Sequence, residues 1–315
     1  MNHNMRQQSP TPTPAAQGSA IAAAPDSTLV RQLLELAEQA GQRILRLYEQ
    51  HHREACAPRA PGARLADKAD GSPLTRADLE AHQLIVQQLP RLLSDVAVVS
   101  EEGPELALQA GQPFWLVDPL DGTREFLAGN GEFSVNIALV RGGVVVWGVV
   151  HAPALGQSFW GGPGLGAWQR DAQGERPIHV APPPAPAEPC RVVASRSHLD
   201  AATADFIRGL GRCELLQAGS SLKFCRVAQG LAHVYPRLGP TCLWDTAAAQ
   251  AVLEGAGGCV HDLQGRPLRY PPGGDWRNPP FVAACAPLRE WAAGRAGQGG
   301  GRDPRGPGEQ AQSVR

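Results

Sequence analysis

Lysine is nearly missing from this chain. Of its 29 basic residues only Lys68 and Lys223 are lysine, and all the others are arginine. A compact ammonium and a wide planar guanidinium are not interchangeable beside a crowded anion or metal, so the two retained lysines mark places to follow. Other absences exclude whole classes of function. Acidic residues number 30 and the formal net charge is -1, which provides no basic field for a nucleic acid polymer. No apolar run approaches the length of a bilayer-spanning helix. The N-terminus has no charged start followed by an apolar stretch and a cleavage site, so no secretory signal is expected. The seven cysteines, Cys56, Cys190, Cys213, Cys225, Cys242, Cys259 and Cys285, never form a C-x-x-C pair. Scattered in this way they predict reduced thiols in a cytosolic protein, with neither a disulfide framework nor a zinc site. The nine histidines show no H-x-x-x-H or H-E-x-x-H spacing.

What is present predicts a folded protein with a real core. Apolar residues make up 43% of the chain, enough for one large domain or two modest lobes. Residues 1–25 and 297–315 are rich in Pro, Ala, Gln and Gly without periodicity and read as disordered tails. Between them the spacing of Val30, Leu33, Leu34, Ala37, Ile44 and Leu47 predicts a helix capped at Asp26 or Ser27. A second helix is predicted near Thr75, with Leu79, Leu84, Ile85, Leu89 and Leu92 on its apolar face and Pro90 late in it. The period then changes. VAVVS (96–100) and FWLVD (114–118) read as buried strands, and residues 133–140 and 143–150 as a hairpin turning at Gly142-Gly143. The Pro-rich stretch 181–189 predicts a connector between a first lobe (26–180) and a second (190–296). That second lobe offers strands near 191–194, 232–235, 258–261 and 281–284, with helices near 200–210 and from about Ser220 and Asp245. Mixed elements in this order predict layered α/β (α+β) architecture without a repeated unit.

Three acidic segments each close an apolar run: VVSEEG with Glu101 and Glu102, FWLVDPLDGTREF with Asp118 and Asp121, and TCLWDTAAAQ with Asp245. Strand ends are where α/β folds present chemistry. Carboxylates gathered together repel unless a cation lies between them, and oxygen donors without nearby His or Cys favour magnesium. Pro119 stiffens the turn so that Asp118 and Asp121 can bend toward one ion, with the Leu120 carbonyl as a further donor. Gly122-Thr123 offers backbone N–H groups at a helix start, a setting suited to phosphate. Each acid also has a bland explanation. Glu101-Glu102 alone is a solvated turn, Asp118 and Asp121 are turn residues, Asp245 caps a helix, and Thr75-x-x-Asp78 is a capping box. Their joint placement argues for a site.

The segments KADGSPLTRAD (68–78), SEE (100–102), DPLDGT (118–123) and WDTAA (244–248) resemble the inositol monophosphatase superfamily, in order, over about residues 27–290. That resemblance implies a layered αβαβα sandwich and a lithium-sensitive phosphomonoesterase using two or three Mg2+ ions. It implies Glu101, Asp118, Asp121, Asp245 and the Leu120 carbonyl as metal ligands. Glu101, Thr123 and Asp78 would serve catalysis, the latter two beside the attacking water, and Lys68 would moderate the charge of the cluster. Within the superfamily, SRSH (195–198), GSSLKFC (219–225) and YPRLGPT (235–241) resemble bacterial 3'(2'),5'-bisphosphate nucleotidases of sulfur assimilation. This implies a nucleotide pocket of His198, Ser220, Lys223 and Arg237, with Glu101, Leu120, Asp121, Gly122, Thr123 and Asp245 also facing substrate. The expected reaction is removal of the 3'-phosphate from adenosine 3',5'-bisphosphate or its sulfated form. Loose attachment to the inner face of the bacterial inner membrane is implied by the resemblance alone. The competing expectations are an inositol or sugar monophosphatase, and an inactive nucleotide-binding regulator. A haloacid-dehalogenase-type site is disfavoured because Asp118 and Asp121 are three apart rather than two.

Overall fold

The computed structural model describes residues 25–55, 64–67, 73–196 and 199–288, so the two predicted tails lie outside the described residues apart from Pro25. Helix α1 (Ser27–Ala55) begins where the sequence places it: Asp26 Oδ1 accepts the N–H groups of Thr28 and Leu29 at 2.9 and 2.8 Å. This is the N-cap arrangement, and Leu33, Leu34, Ala37 and Ile44 form its buried stripe. Strands β1 (Arg64–Asp67) and β2 (Pro73–Thr75) make a small antiparallel pair that the sequence reading missed. Helix α2 (Arg76–Leu92) starts from a complete capping box between Thr75 and Asp78 and ends just past Pro90.

The first lobe is built on a seven-stranded sheet. Its strands β3 (Ala97–Ser100), β4 (Phe114–Asp121), β5 (Ser134–Arg141), β6 (Val144–Ala152), β7 (Gln157–Gly162), β8 (Gly166–Asp171) and β9 (Gly174–Pro177) lie side by side in chain order. Only the β3–β4 pair is parallel. The predicted hairpin is β5–β6, and its two turn glycines take the left-handed φ values (57° and 74°) that a tight turn of this hand demands. β4 and β5 are buried along nearly their whole length, which is why both read as continuous apolar runs rather than as alternating strands. Strands β7 to β9 were not anticipated, because glycine and charge interrupt residues 157–177 and weaken any strand signal. After β4 comes a short helix, α3 (Thr123–Ala128).

The second lobe carries strands β10 (Cys190–Ser195), β11 (Cys213–Ala218), β12 (Val234–Arg237), β13 (Cys259–Asp262) and β14 (Phe281–Ala284), laterally ordered β11-β10-β12-β14-β13. Its helices are α4 (Ala201–Gly209), α5 (Leu222–Ala228) and α6 (Ala247–Gly255). The helix expected from Asp245 begins instead with a 3-10 turn, Leu243–Asp245, and becomes α-helical at Ala247. α1 and α2 cover one face of the large sheet, α5 and α6 fill the space between the sheets, and α4 packs outside the small one. The result is the expected αβαβα sandwich, with one apolar core on each side of the large sheet. Among the described residues no helix is long and apolar enough to cross a membrane.

The middle layer is held at unusually short range. α6 presents Ala247, Ala248, Ala249 and Ala251, all buried, and β6 meets it with Gly148. A Cβ on Gly148 would stand 2.5 Å from the Ala248 carbonyl oxygen, so backbone rather than a yielding side chain opposes it. Gly148→Ala is therefore expected to destabilise the protein by about 1–3 kcal/mol through overpacking, measurable as a lower midpoint in urea unfolding.

Candidate active site between the two sheets

Glu101, Asp118 and Asp121, at the ends of β3 and β4, give the large sheet's side of a cleft of about 550 Å³ an acidic wall, while the second lobe brings Lys223 and Arg237 together with Asp200 and Asp245. On the acidic wall, the Glu101 N–H donates to Val117 O at 3.0 Å, which seats the end of β3 beside β4. β4 does not stop at Asp118 as expected. It continues to Asp121 through a register irregularity between those two residues. A break of this kind re-aims side chains locally, and both carboxylates come to line the cleft together with Glu101 and Leu120. Asp118 Oδ1 accepts the Leu120 N–H at 3.0 Å, while Thr123 Oγ1 donates toward Leu120 O at 3.4 Å.

Asp78 completes the capping box of α2 and also reaches Thr123. One carboxylate oxygen, Oδ2, accepts from Thr75 N at 2.8 Å and Thr75 Oγ1 at 2.6 Å. The other, Oδ1, receives the Thr123 hydroxyl at 3.3 Å. The capping box thus fixes a buried carboxylate behind Thr123, and Thr123 faces the cleft at the start of α3. Gly122, with φ 89°, makes the turn between β4 and α3.

Asp121 and Asp245 meet through Ser221. Asp121 Oδ2 accepts Ser221 N at 2.5 Å, and Ser221 Oγ lies 2.7 Å from both Asp121 Oδ2 and Asp245 O. Asn136 Nδ2 donates to Ser221 Oγ at 2.8 Å. Asp245 is not the cap of α6. Its Oδ2 instead accepts the Cys242 N–H at 2.8 Å within the 3-10 turn. Ser221 and Asn136 were missed in the sequence. Asn136, wholly buried inside FSVNIALV, was the available signal, since a polar residue mid-strand in an apolar run needs a partner.

Lys223 is not the surface charge that an isolated lysine suggests. It is 6% exposed, donates to Ser220 O at 2.5 Å, and stands 5.4 Å from the Tyr235 ring centre. Burial lowers its pKa, and the charge of Asp121 partly opposes that shift. Ser220 lines the cleft with φ 42°, a left-handed value that a serine rarely adopts. Arg237 Nη2 donates to Pro240 O at 2.9 Å at the cleft edge. A further acid absent from the expectations, buried Glu125, also lines the cleft. Lys68 and His198 lie outside the described residues.

The acids press on one another. The Asp245 carboxyl is held well above its ordinary range, first by burial and then by the negative charges of Asp121 and Glu101. Asp121 is raised as well, chiefly by burial, with Lys223 as the largest opposing influence. All the donors aimed at this wall are oxygens, which fits a hard divalent cation. As placed, however, Asp118, Asp121 and Asp245 each accept from a nearby N–H or O–H donor. Among the described residues no three His, Cys, Asp or Glu side chains are gathered closely enough to clasp an ion.

The family model for the inositol monophosphatase family matches residues 26–293. The chain belongs to that family. Among relatives of this inositol monophosphatase family member is the 3'(2'),5'-bisphosphate nucleotidase CysQ of Escherichia coli strain K12. The two are 43% identical over 258 residues, covering 80% of this chain and 98% of the relative. The crystal structure of CysQ from Bacteroides thetaiotaomicron superposes with a TM-score of 0.68 at 37% identity, covering 82% of this chain and 97% of that one. An inositol monophosphatase from Zymomonas mobilis gives 0.64 at 25%, covering 85% and 97%.

A raised Asp245 pKa has a consequence for stability. The folded chain binds this proton more tightly than the unfolded chain does, so the metal-free protein loses stability as pH rises from the ordinary carboxylate range through the raised value. Asp245→Asn is expected to raise the melting temperature of the metal-free protein at pH 7, by roughly 2–4 °C for each kcal/mol of relieved charge burial. Calorimetric scans at pH 5 and pH 7 check this, and the gain is expected to shrink at the lower pH.

Proposed function

We propose that this protein is a 3'(2'),5'-bisphosphate nucleotidase that hydrolyses the 3'-phosphate of adenosine 3',5'-bisphosphate to AMP and phosphate. The observation that carries the substrate class is the lining of the cleft. Lys223 and Arg237 share it with the carboxylates of Glu101, Asp118, Asp121 and Asp245, which suits a small molecule with a second phosphate for the cations to hold. The CysQ relatives, matched over nearly their full length, support the same reading.

Members of this family are metal-dependent, and the finer assignment made here is magnesium held by Glu101, Asp118, Asp121, Asp245 and the Leu120 carbonyl. Bound there, the cation supplies polarisation of the phosphate and a water acidified for attack. The chain's own residues do the rest. Thr123 Oγ1, which donates to Asp78 Oδ1, would orient the attacking water, and Asp78, fixed by the capping box, would be the group placed to receive a proton through it. Lys223 and Arg237 hold the second phosphate and so fix the angle at which the 3'-phosphate meets the acids. Orientation of this sort accounts for much of the acceleration in phosphoryl transfer, where little covalent chemistry falls to the protein.

Phosphate release measured with adenosine 3',5'-bisphosphate and with inositol 1-phosphate, each with and without Mg2+, tests the reading. Turnover is expected for the nucleotide and to need the metal; faster release from inositol phosphate overturns the substrate assignment. Asp121→Asn is expected to remove turnover while leaving the circular dichroism spectrum unchanged. Arg237→Ala is expected to raise KM for the bisphosphate by about 10–100-fold, the scale of a lost charged hydrogen bond. For adenosine 3'-monophosphate, which has no second phosphate to hold, the same change is expected to leave KM nearly unmoved.

A further inference from the structure

Asp245 projects from a single 3-10 turn, closed locally by a capping box in which its carboxylate accepts the Cys242 N–H. Leu243, Trp244 and Asp245 form its three residues, and Thr246 leads into α6 without a side-chain cap. A turn this short, with the poorer hydrogen-bond geometry of a 3-10 helix, gains from support outside it. Here the outside support is the strand-like segment Trp276–Asn278, brought from the far end of the chain. The Leu243 N–H donates to Trp276 O at 2.7 Å, and Cys242 bridges antiparallel to Arg277.

Asn278 closes this support on both sides of Asp245. Its own N–H donates to Thr241 O at 2.9 Å. Its side-chain Nδ2 donates to Cys242 O at 2.6 Å and to Thr241 Oγ1 at 3.1 Å. Its Oδ1 lies 3.3 Å from Thr246 Oγ1. One amide side chain therefore ties the residues that enter the turn to the residue that leaves it. Cys242, held through its carbonyl, is also the residue whose N–H reaches the Asp245 carboxylate at 2.8 Å. Asn278 is absent from the lining of the cleft, so it acts from behind the site rather than on the substrate. Beyond it, Thr246 is backed by the Tyr270 hydroxyl at 3.0 Å, which also reaches Gln250 Oε1 at 2.8 Å.

The geometry points to Asn278 as a positioning residue for Asp245, holding that carboxylate at the angle from which it ligates the metal. This rests on the reading of Asp245 as a metal ligand. A side chain that orients a ligand from behind typically contributes a factor of 10–100 to metal affinity. Tyr270 provides the contrast, because its hydroxyl belongs to the same buried network but touches neither Cys242 nor Asn278.

The test is a titration with Mn2+ alone, without substrate, reading free ion by electron paramagnetic resonance in wild type, Asn278→Ala, Asn278→Asp and Tyr270→Phe. Asn278→Asp keeps the size and one acceptor but replaces the donor facing Cys242 O by an oxygen, so it remains informative should the alanine variant fold poorly. Both Asn278 variants are expected to weaken Mn2+ binding by 10–100-fold. Tyr270→Phe is expected to lower the melting temperature and leave metal affinity at the wild-type value. Wild-type affinity in a folded Asn278 variant, or an equal loss in Tyr270→Phe, overturns the positioning role while leaving the metal site standing. A wild type that binds no Mn2+ overturns the parent reading of Asp245, and this inference with it.

Discussion

The site depends on one junction, the Asp121 carboxylate against the N–H and hydroxyl of Ser221. Asp121 ends a strand of the large sheet, and Ser221 opens the helix that lies between the two sheets. The Asp245 carbonyl meets the same hydroxyl, so three segments distant in sequence converge on one side chain. A buried carboxylate needs such donors, since an uncompensated charge there costs far more than a hydrogen bond returns. The junction therefore satisfies Asp121 and ties the end of β4 to the start of the helix that carries Lys223.

A second tie works in parallel at the cleft's outer edge. Glu132, from the loop before β5, takes the Arg196 guanidinium in a two-pronged pair, with Nε–Oε2 at 2.9 Å and Nη2–Oε1 at 3.0 Å, and accepts Gly219 N at 2.9 Å. Gly219 itself admits no side chain, because a Cβ would lie 2.7 Å from both Glu125 Cγ and Glu132 O. The G-S-S segment is thus pressed against the first lobe by backbone, with Ser220 in its left-handed conformation as the local cost. Lys223 follows from that segment as the second residue of α5, and so inherits its position.

Crowded acids explain why the same wall is both a hazard and a tool. Burial first, and then the charges of Asp121 and Glu101, favour a proton on Asp245, and Asp118, Asp121 and Asp245 each accept a backbone N–H. A cation reverses that balance, since it favours the ionised form of every ligand at once. The small-residue packing of α6 on β6 then matters for function as well as stability, because α6 begins immediately after Asp245 and its seat on the sheet sets the depth of the acid in the cleft.

Much of this was legible in the residues themselves. The continuous apolar runs of β4 and β5, the capping box at Thr75 and Asp78, the Gly142-Gly143 turn and the four acids at segment ends all follow from local periodicity, turn chemistry and charge. The strands at 157–177 were not, because glycine and charge interrupt them, and the reason for two of the glycines lies in neighbouring strands: a Cβ on Gly161 would meet Gly166 O at 2.4 Å and one on Gly162 would meet Val146 O at 2.3 Å. Nor was the burial of Lys223, the rerouting of Asp245 from helix cap to a 3-10 turn, or the part of Ser221. Asn278 had no local signal at all: its partners stand more than 30 residues away in sequence. The sequence by itself determined which groups are chemically able to hold a metal and a phosphate. Only the tertiary structure decided which of them face one another, because that is set by how two sheets close over a shared layer of helices.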